Sequence, residues 1–239
     1  MSDPLRVAVV AEGPTDHVML ERIVRRYVGT AAMEYTALQP ELSAAFAPVD
    51  SNLGFGWGGV YRWAQGVRDE GLGSIRGSYL LHAYDVIIVQ VDCDVATARY
   101  SDIAVVDPAD DLPCAKACPP IGPTLEALGK VILRWLGENE APAPLVLCLP
   151  AQALEGWLLR ALYPDDAVSK ANRTDCLHSP ANRLSAKPLQ GRLVSAAKKN
   201  LPAYRDRADE FADMWQTVVA ACESAAKFDA RLSVFLKPL

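Results

Sequence analysis

The sequence predicts an α/β protein with a mostly parallel sheet and a helical C-terminal extension, and three patterns predict it. Apolar runs at 5–10 (LRVAVV), 86–91 (VIIVQV) and 144–149 (PLVLCL) read as strands buried on both faces, the kind found inside parallel sheets. Between them, apolar residues recur at helical spacing: Met19, Leu20, Ile23, Val24 and Tyr27 in one stretch, Leu125, Leu128, Ile132, Trp135 and Leu136 in another. From 165 onward no strand pattern is convincing, while Phe211, Trp215, Val218, Val219 and Cys222, then Phe228, Leu232 and Phe235, keep the helical period. The expected organisation is an α/β domain over 1–164 with a helical extension over 165–239 packed on it.

With 239 residues, 51% of them hydrophobic, the chain can bury a full core. No apolar stretch approaches the roughly 20 residues of a membrane span. The opening MSDPLRVAVVAEG lacks the basic region and long apolar core of a secretory signal, so a cytoplasmic protein is expected. The six cysteines (Cys93, Cys114, Cys118, Cys148, Cys176 and Cys222) have no CxxC spacing. Cys114 and Cys118 find no second pair beyond Cys176-Leu177-His178, so reduced structural thiols are expected rather than a zinc site. A net charge of −5, taken alone, argues against a general nucleic-acid coat.

In chain order, the first strand breaks at Ala11-Glu12-Gly13-Pro14-Thr15-Asp16. Pro14 suits the first position of a helix, Asp16 its electropositive first turn and Gly29 its C-terminal cap. Glu12 therefore lies where a strand hands over to a helix, the carboxyl rim at which open α/β sheets bind ligands. Met33 to Gln39 reads as a short strand. The glycine-dense stretch 52–59 (NLGFGWGG) follows no clear strand in the G-x-G-x-x-G form, so it reads as a flexible surface loop rather than a phosphate cradle; Val60 to Glu70 reads as a short helix.

The central strand ends in Asp92-Cys93-Asp94. Residues i and i+2 of a strand point to one side, so persistence of the extended geometry would project both carboxylates at the sheet's edge. Two acids held that close repel, and a hard divalent cation such as Mg²⁺ (or Mn²⁺) is the usual counter-charge. The proline-rich segment 107–123 carries the acids Asp107, Asp110 and Asp111, which could join a metal cluster, and reads rather as a solvated loop. After the last strand, Leu154, Trp157, Leu158, Ala161 and Leu162 share a helical face. Glu155 at its start is either a further rim ligand or a glutamate favouring the helix N-terminus.

Glu12-Gly13-Pro14-Thr15-Asp16 after a first strand and Asp92-Cys93-Asp94 after a later central strand resemble the two signatures of the Toprim superfamily, shared by topoisomerases, bacterial primases and the overcoming-lysogenisation-defect nucleases. The resemblance spans roughly 5–160 and is nearest to the small stand-alone Toprim-like proteins of bacteria, a group discussed with phage defence. It implies a Rossmann-like Toprim unit. It also implies Glu12 as general acid, general base or metal ligand, Asp92 and Asp94 as the Mg²⁺-holding pair, and Glu155 and Trp157 as metal-site and packing residues respectively. Asp16 either supports the ligands or is simply a helix N-terminal charge. No tyrosine is assigned as a topoisomerase-type nucleophile, and the added domains of topoisomerases and primases are not in this chain.

Charge is uneven along the extension. Between Lys170 and Arg207 nine bases face two acids, a local +7 in a chain of net −5. A basic segment beside an acidic rim is what a phosphodiester enzyme needs, one part to attract the backbone and the other to hold cations. Lys187, Lys198 and Lys199 are the candidate nucleic-acid contacts. The expected function is a Mg²⁺-dependent nuclease acting on DNA or RNA, with an activating protein partner left open and no membrane association. Two alternatives stand beside it: a metal-dependent phosphohydrolase or phosphotransferase acting on nucleotides, and a non-catalytic partner protein that keeps the fold.

Overall fold

The computed structural model describes residues 3–42, 53–188, 192–195 and 198–236. Four strands, β1 (Leu5–Val10), β2 (Met33–Gln39), β3 (Val86–Gln90) and β4 (Leu145–Cys148), form one all-parallel sheet in the order β2-β1-β3-β4. Helix α1 (Pro14–Val28) connects β1 to β2, α2 (Gly56–Glu70) and the short α3 (Leu80–Ala83) precede β3, and α4 (Gly122–Trp135) precedes β4. Beyond β4 come α5 (Glu155–Leu162), α6 (Ala167–Lys170) and α7 (Pro180–Ser185). A two-stranded antiparallel ribbon, β5 (Val194–Ser195) with β6 (Lys198–Lys199), follows, and then α8 (Leu201–Asp213), α9 (Trp215–Ala221) and α10 (Glu223–Phe235).

Alternation along the strands sorts the core into two layers. Val7 and Val9 of β1, Val86 and Ile88 of β3, and Val146 and Cys148 of β4 face α1, α5 and the C-terminal helices; Ala8, Val10, Ile87, Val89 and Leu145 face α2 and α4. The C-terminal helices thus help to cover one face of the sheet, with Tyr204, Phe211, Trp215, Phe228 and Leu232 buried in the same cluster as the strands. Trp157 fills the packing role expected of it: it is fully buried, stands 5.3 Å from the Trp215 ring and donates its indole N–H to Ser224 Oγ at 2.8 Å.

From β1 the chain moves outward to β2 and later returns to the opposite side of β1 for β3. The connections leaving β1 and β3 therefore diverge and open a crevice between their carboxyl ends, the position at which such sheets bind ligands. Among the described residues no helix is long and apolar enough to cross a membrane.

Three expectations are corrected. The glycine-dense stretch does not run as a loop to Gly59: α2 begins at Gly56, while Asn52 lies outside the described residues. Close packing explains these glycines. A Cβ at Gly59 would stand 2.3 Å from Gln39 Nε2 and 2.6 Å from the Gly54 carbonyl oxygen, and one at Gly58 would stand 2.8 Å from Ile103 Cγ2. The second correction is the β5–β6 ribbon inside the supposedly all-helical extension, too short to leave an alternating pattern in the sequence. The third is covalent: Cys118 and Cys176, 58 residues apart with Cα atoms at 5.6 Å, form a disulfide. That pair is not the reduced thiols expected, because the fold brings together cysteines that no spacing rule connects. Cys93, Cys148 and Cys222 are free and buried, and Cys114 is free and partly exposed.

Two glycines of α2 should respond oppositely to alanine. At Gly66 a Cβ meets nothing within 4 Å, so Gly66→Ala should gain about 0.5–1 kcal/mol of helix stability. At Gly59 the same gain is outweighed by overpacking against a backbone carbonyl, at about 1–3 kcal/mol, and Tm should fall by several degrees. Thermal unfolding of the two variants checks the pair; a rise in both would mean that the Gly59 surroundings yield freely.

Candidate active site

The acids that the sequence placed on strand ends meet in the crevice between β1 and β3. Glu12 is the second residue beyond β1 and Asp92 the second beyond β3. A hydrogen-bond circuit ties the two loops together: the Glu12 N–H donates to Gln90 Oε1 (3.0 Å), Gln90 Nε2 donates to Asp92 Oδ1 (2.8 Å), and the Asp92 N–H donates to Glu12 Oε1 (2.8 Å). Asp92 Oδ1 also accepts the Leu154 N–H at 3.2 Å, which joins the loop after β4 to the same point. Gln90 and Asp92 stand in the i, i+2 relation that the sequence assigned to Asp92 and Asp94, so the glutamine and the aspartate share a side. Asp94 departs from that arrangement. The chain turns into a 3₁₀ helix over Cys93–Thr97, and Asp94 sits exposed on it.

Glu155 opens α5, as expected, but its charge is already answered. Its Oε1 accepts the Tyr204 hydroxyl at 2.5 Å and lies 2.8 Å from Lys199 Nζ. Lys199 also stands 3.7 Å from Asp16 Oδ1, a buried oxygen with no hydrogen-bond partner. Of the three proposed backbone contacts, Lys199 therefore points into the rim. Lys187 is bonded to Asp166 and lies 5.0 Å above the Tyr163 ring, and Lys198 is exposed on the ribbon. Other members of the basic segment are tied down as well, Arg183 to Asp166 at 3.0 Å and Arg207 to Glu210 at 2.6 Å.

Electrostatics follow from this crowding. Burial, opposed by the Asp92 N–H and reinforced by Asp16 and Asp94, pushes Glu12 up to about 8. Burial raises Asp92 well above the carboxylate range, with Glu12 and Asp16 adding repulsion, and burial likewise raises Asp16 and Asp94. For Glu155 burial pushes upward too, but the Lys199 ammonium and the Tyr204 hydroxyl together hold it below its usual value. Burial disfavours charge on Lys199, yet Asp16, Glu155 and Asp92 outweigh it and hold the ammonium protonated. Lys199 is the cation felt by all five acids. His17, beside Asp16 in the chain, adds none: it is buried between the Tyr35 hydroxyl and the Gln39 carbonyl, and burial lowers it to about 4.

A hard divalent cation fits this site by donor type and by charge. The donors are carboxylate oxygens, the acids outnumber the one ammonium, and Asp16 Oδ1 is buried without a hydrogen-bond partner. Among the described residues, however, no three His, Cys, Asp or Glu side chains are grouped closely enough to hold a metal ion as they stand. Sequence reasoning passed over Gln90 and Tyr204, and named Lys199 as a nucleic-acid contact without its place beside Asp16 and Glu155. Gln90 alone had a readable signal, a polar residue inside a run that reads as fully buried, which demands hydrogen-bond partners.

Fold and site together define an α/β protein with a carboxylate–lysine centre at the switch point of its parallel sheet. Comparison of the chain with protein-family models, with curated proteins and with solved structures returns no match.

The raised carboxyls make stability depend on pH in a fixed direction. Folded Glu12 keeps its proton up to about 8, whereas the unfolded chain releases it near 4.5, so the folded state binds more protons across that interval. Without divalent cations, stability should therefore fall as pH rises from about 6.5 to 8. Glu155, held low, works the other way below pH 4.5, and His17, lowered from 6.5 to about 4, works the other way up to about 6.5. Melting curves between about pH 6.5 and 8 in chelator check this, and a Tm that climbs steadily through that window would contradict it.

Proposed function

We propose that the protein is a Toprim-type, Mg²⁺-dependent nuclease that hydrolyses phosphodiester bonds of DNA or RNA. The observation that carries this reading is the circuit joining Glu12 and Asp92: acids from the ends of two adjacent parallel strands are locked together at the rim where open α/β sheets generally bind ligands, with more acids than Lys199 can balance. Asp92 and Asp94 would hold the cation, with Glu12 as a further ligand or as the proton-transfer group and Asp16 beside them. The bound cation would stabilise charge on the scissile phosphate and activate the attacking oxygen.

The chain's own residues do the rest. Gln90 and the Leu154 N–H fix Asp92 through Oδ1, and the Asp92 N–H fixes Glu12 through Oε1, so each carboxylate is oriented by one oxygen. Glu12, poised at about 8, can give up or take a proton near neutral pH, the property a general acid or base needs. Lys199 places fixed positive charge at the mouth of the rim, its side chain still 36% exposed and able to meet an incoming phosphate. A second reading, phosphohydrolysis of nucleotides, is favoured by one observation: Lys187 and Lys199 are engaged by acids, so less of the basic segment is available to a long backbone.

Asp92→Asn should abolish calorimetric Mn²⁺ binding and leave the Tm of the metal-free protein nearly unchanged, because Asp92 keeps its proton there and the asparagine retains an Oδ1 for the Gln90 and Leu154 donors. Unchanged Mn²⁺ affinity would remove the site from consideration. Glu12→Gln keeps the oxygen that accepts the Asp92 N–H, so folding should survive, while single-turnover cleavage falls by about 10²-fold or more. Cleavage assays on single- and double-stranded DNA and RNA, and on nucleoside phosphates, distinguish the two readings. Wild-type turnover in Glu12→Gln would assign the chemistry to other residues.

A further inference from the structure

On the α2–α4 side of the sheet lies a second built feature, a cavity of about 500 Å³ between α2, the end of α4 and the 107–111 segment. Its floor is aromatic and rigid. Trp135 Nε1 donates to the Tyr100 hydroxyl (2.8 Å), which donates to Asp111 Oδ1 (2.8 Å), and Asp111 is in turn paired with Arg134 at 3.1 Å. Tyr61 sits edge-on to both rings, 5.4 Å from Trp135 and 5.6 Å from Tyr100. These partners fix the floor before any ligand arrives, which reduces the ordering cost of binding.

The polar groups on the walls are less committed. Tyr61, Gln65 and Arg68 follow one another along one face of α2. Gln65 donates its amide to the Trp135 carbonyl at 3.0 Å, which leaves its own oxygen as an acceptor, and Arg68 has only a loose 3.9 Å pair with its neighbour Asp69. Asp107 and Asp110, which also line the cavity, are exposed and carry no ion pair among the described residues.

This combination selects a ligand class. A cation would meet Arg68, an anion would meet Asp107 and Asp110, and an aliphatic molecule would waste the aromatic floor. A flat, neutral heterocycle with acceptors along one part of its edge and donors along another satisfies all three. Guanine has that edge: O6 and N7 suit an arginine fork, and N1–H with the N2 amino group suits a carboxylate. Adenine offers no such adjacent pair of donors. We propose that this cavity binds a guanine base, with Arg68 on its acceptor edge, Asp107 or Asp110 on its donor edge and Tyr61 against its ring.

The base can come from a free nucleotide or from a strand. Gly56, first residue of α2, donates its N–H to the Glu12 carbonyl at 2.8 Å, and Tyr61 lies five residues further on, about 7.5 Å along the helix axis. The inference goes beyond the nuclease reading and does not need it, since the cavity's chemistry is independent of any metal. The test is calorimetry on the full chain in chelator, so that no divalent-dependent cleavage intervenes, with GMP, AMP, CMP and UMP, then with guanine-containing and guanine-free pentanucleotides. GMP should bind at least about 10-fold more tightly than the others. Arg68→Ala and Asp110→Asn should each narrow that preference without lowering Tm, and Tyr61→Leu should weaken binding with little change in preference. Tighter binding of the guanine pentanucleotide than of GMP identifies a base within a strand, and the reverse identifies a free nucleotide; either supports the site. Absence of saturable GMP binding, equal affinity for all four bases, or GMP affinity unchanged in Arg68→Ala would overturn it. Loss of the proposed metal site would leave these measurements unaffected.

Discussion

A surplus of buried negative charge at the switch point is the constraint that the rest of the molecule answers. Glu12, Asp16, Asp92 and Glu155 are brought together by the ends of two strands and the starts of two helices, with Asp94 just outside, and burial alone would drive most of them to keep their protons. Isolated buried carboxylates are costly enough to neutralise themselves unless they are paired. Here the pairing comes from far along the chain. The β5–β6 ribbon delivers Lys199 and α8 delivers Tyr204, and both act on Glu155. The helical extension is therefore not an appendage to a finished α/β unit. It covers one face of the sheet and supplies the positive charge that lets Glu155 stay ionised where Glu12 and Asp92 do not.

Gln90 has the complementary task. It lies at the carboxyl end of a strand with no exposed surface, where an apolar residue would pack as well, and it uses both ends of its amide, accepting from Glu12 and donating to Asp92. A lone buried amide without such partners would cost several kcal/mol. The same bonds fix the separation of the β1 and β3 loops, so satisfying one polar side chain also sets the geometry of the acids on either side of it.

What was legible in the sequence follows from which forces are local. Strands β1, β3 and β4 announced themselves because burial on both faces demands unbroken apolar runs, and α1 because Pro14, Asp16 and Gly29 mark its ends. Glu12 and Asp92 were legible by the same logic, since they follow those strands directly. Asp94 was placed by extending the strand one residue too far; the backbone turns at Cys93, and a period of two no longer applies. The partner of Glu155 was not legible at all. Lys199 read as one of nine bases on a segment expected to meet a nucleic-acid backbone, whereas on the β5–β6 ribbon it reaches Glu155. Gly58 and Gly59 read as flexibility when their role is close approach, which depends on Ile103, Gln39 and Gly54 arriving from elsewhere. The Cys118–Cys176 bond is the same kind of case, a contact that tertiary structure creates between positions unrelated in sequence.

Charge accounting at the centre narrows the roles available under the nuclease reading. Lys199 is shared by Asp16 and Glu155, the two acids it contacts, which leaves Glu12, Asp92 and Asp94 to answer one another. One divalent cation among three ionised carboxylates leaves a net negative charge, and a phosphodiester brings one more, so repulsion would oppose the complex. A retained proton removes that obstacle. Glu12 is the natural holder, because its carboxyl is raised to about 8 and its Oε1 is already held by the Asp92 N–H. The same proton could then be delivered to a departing oxygen, with the Coulombic need that placed it there and the acid–base chemistry it performs having one cause.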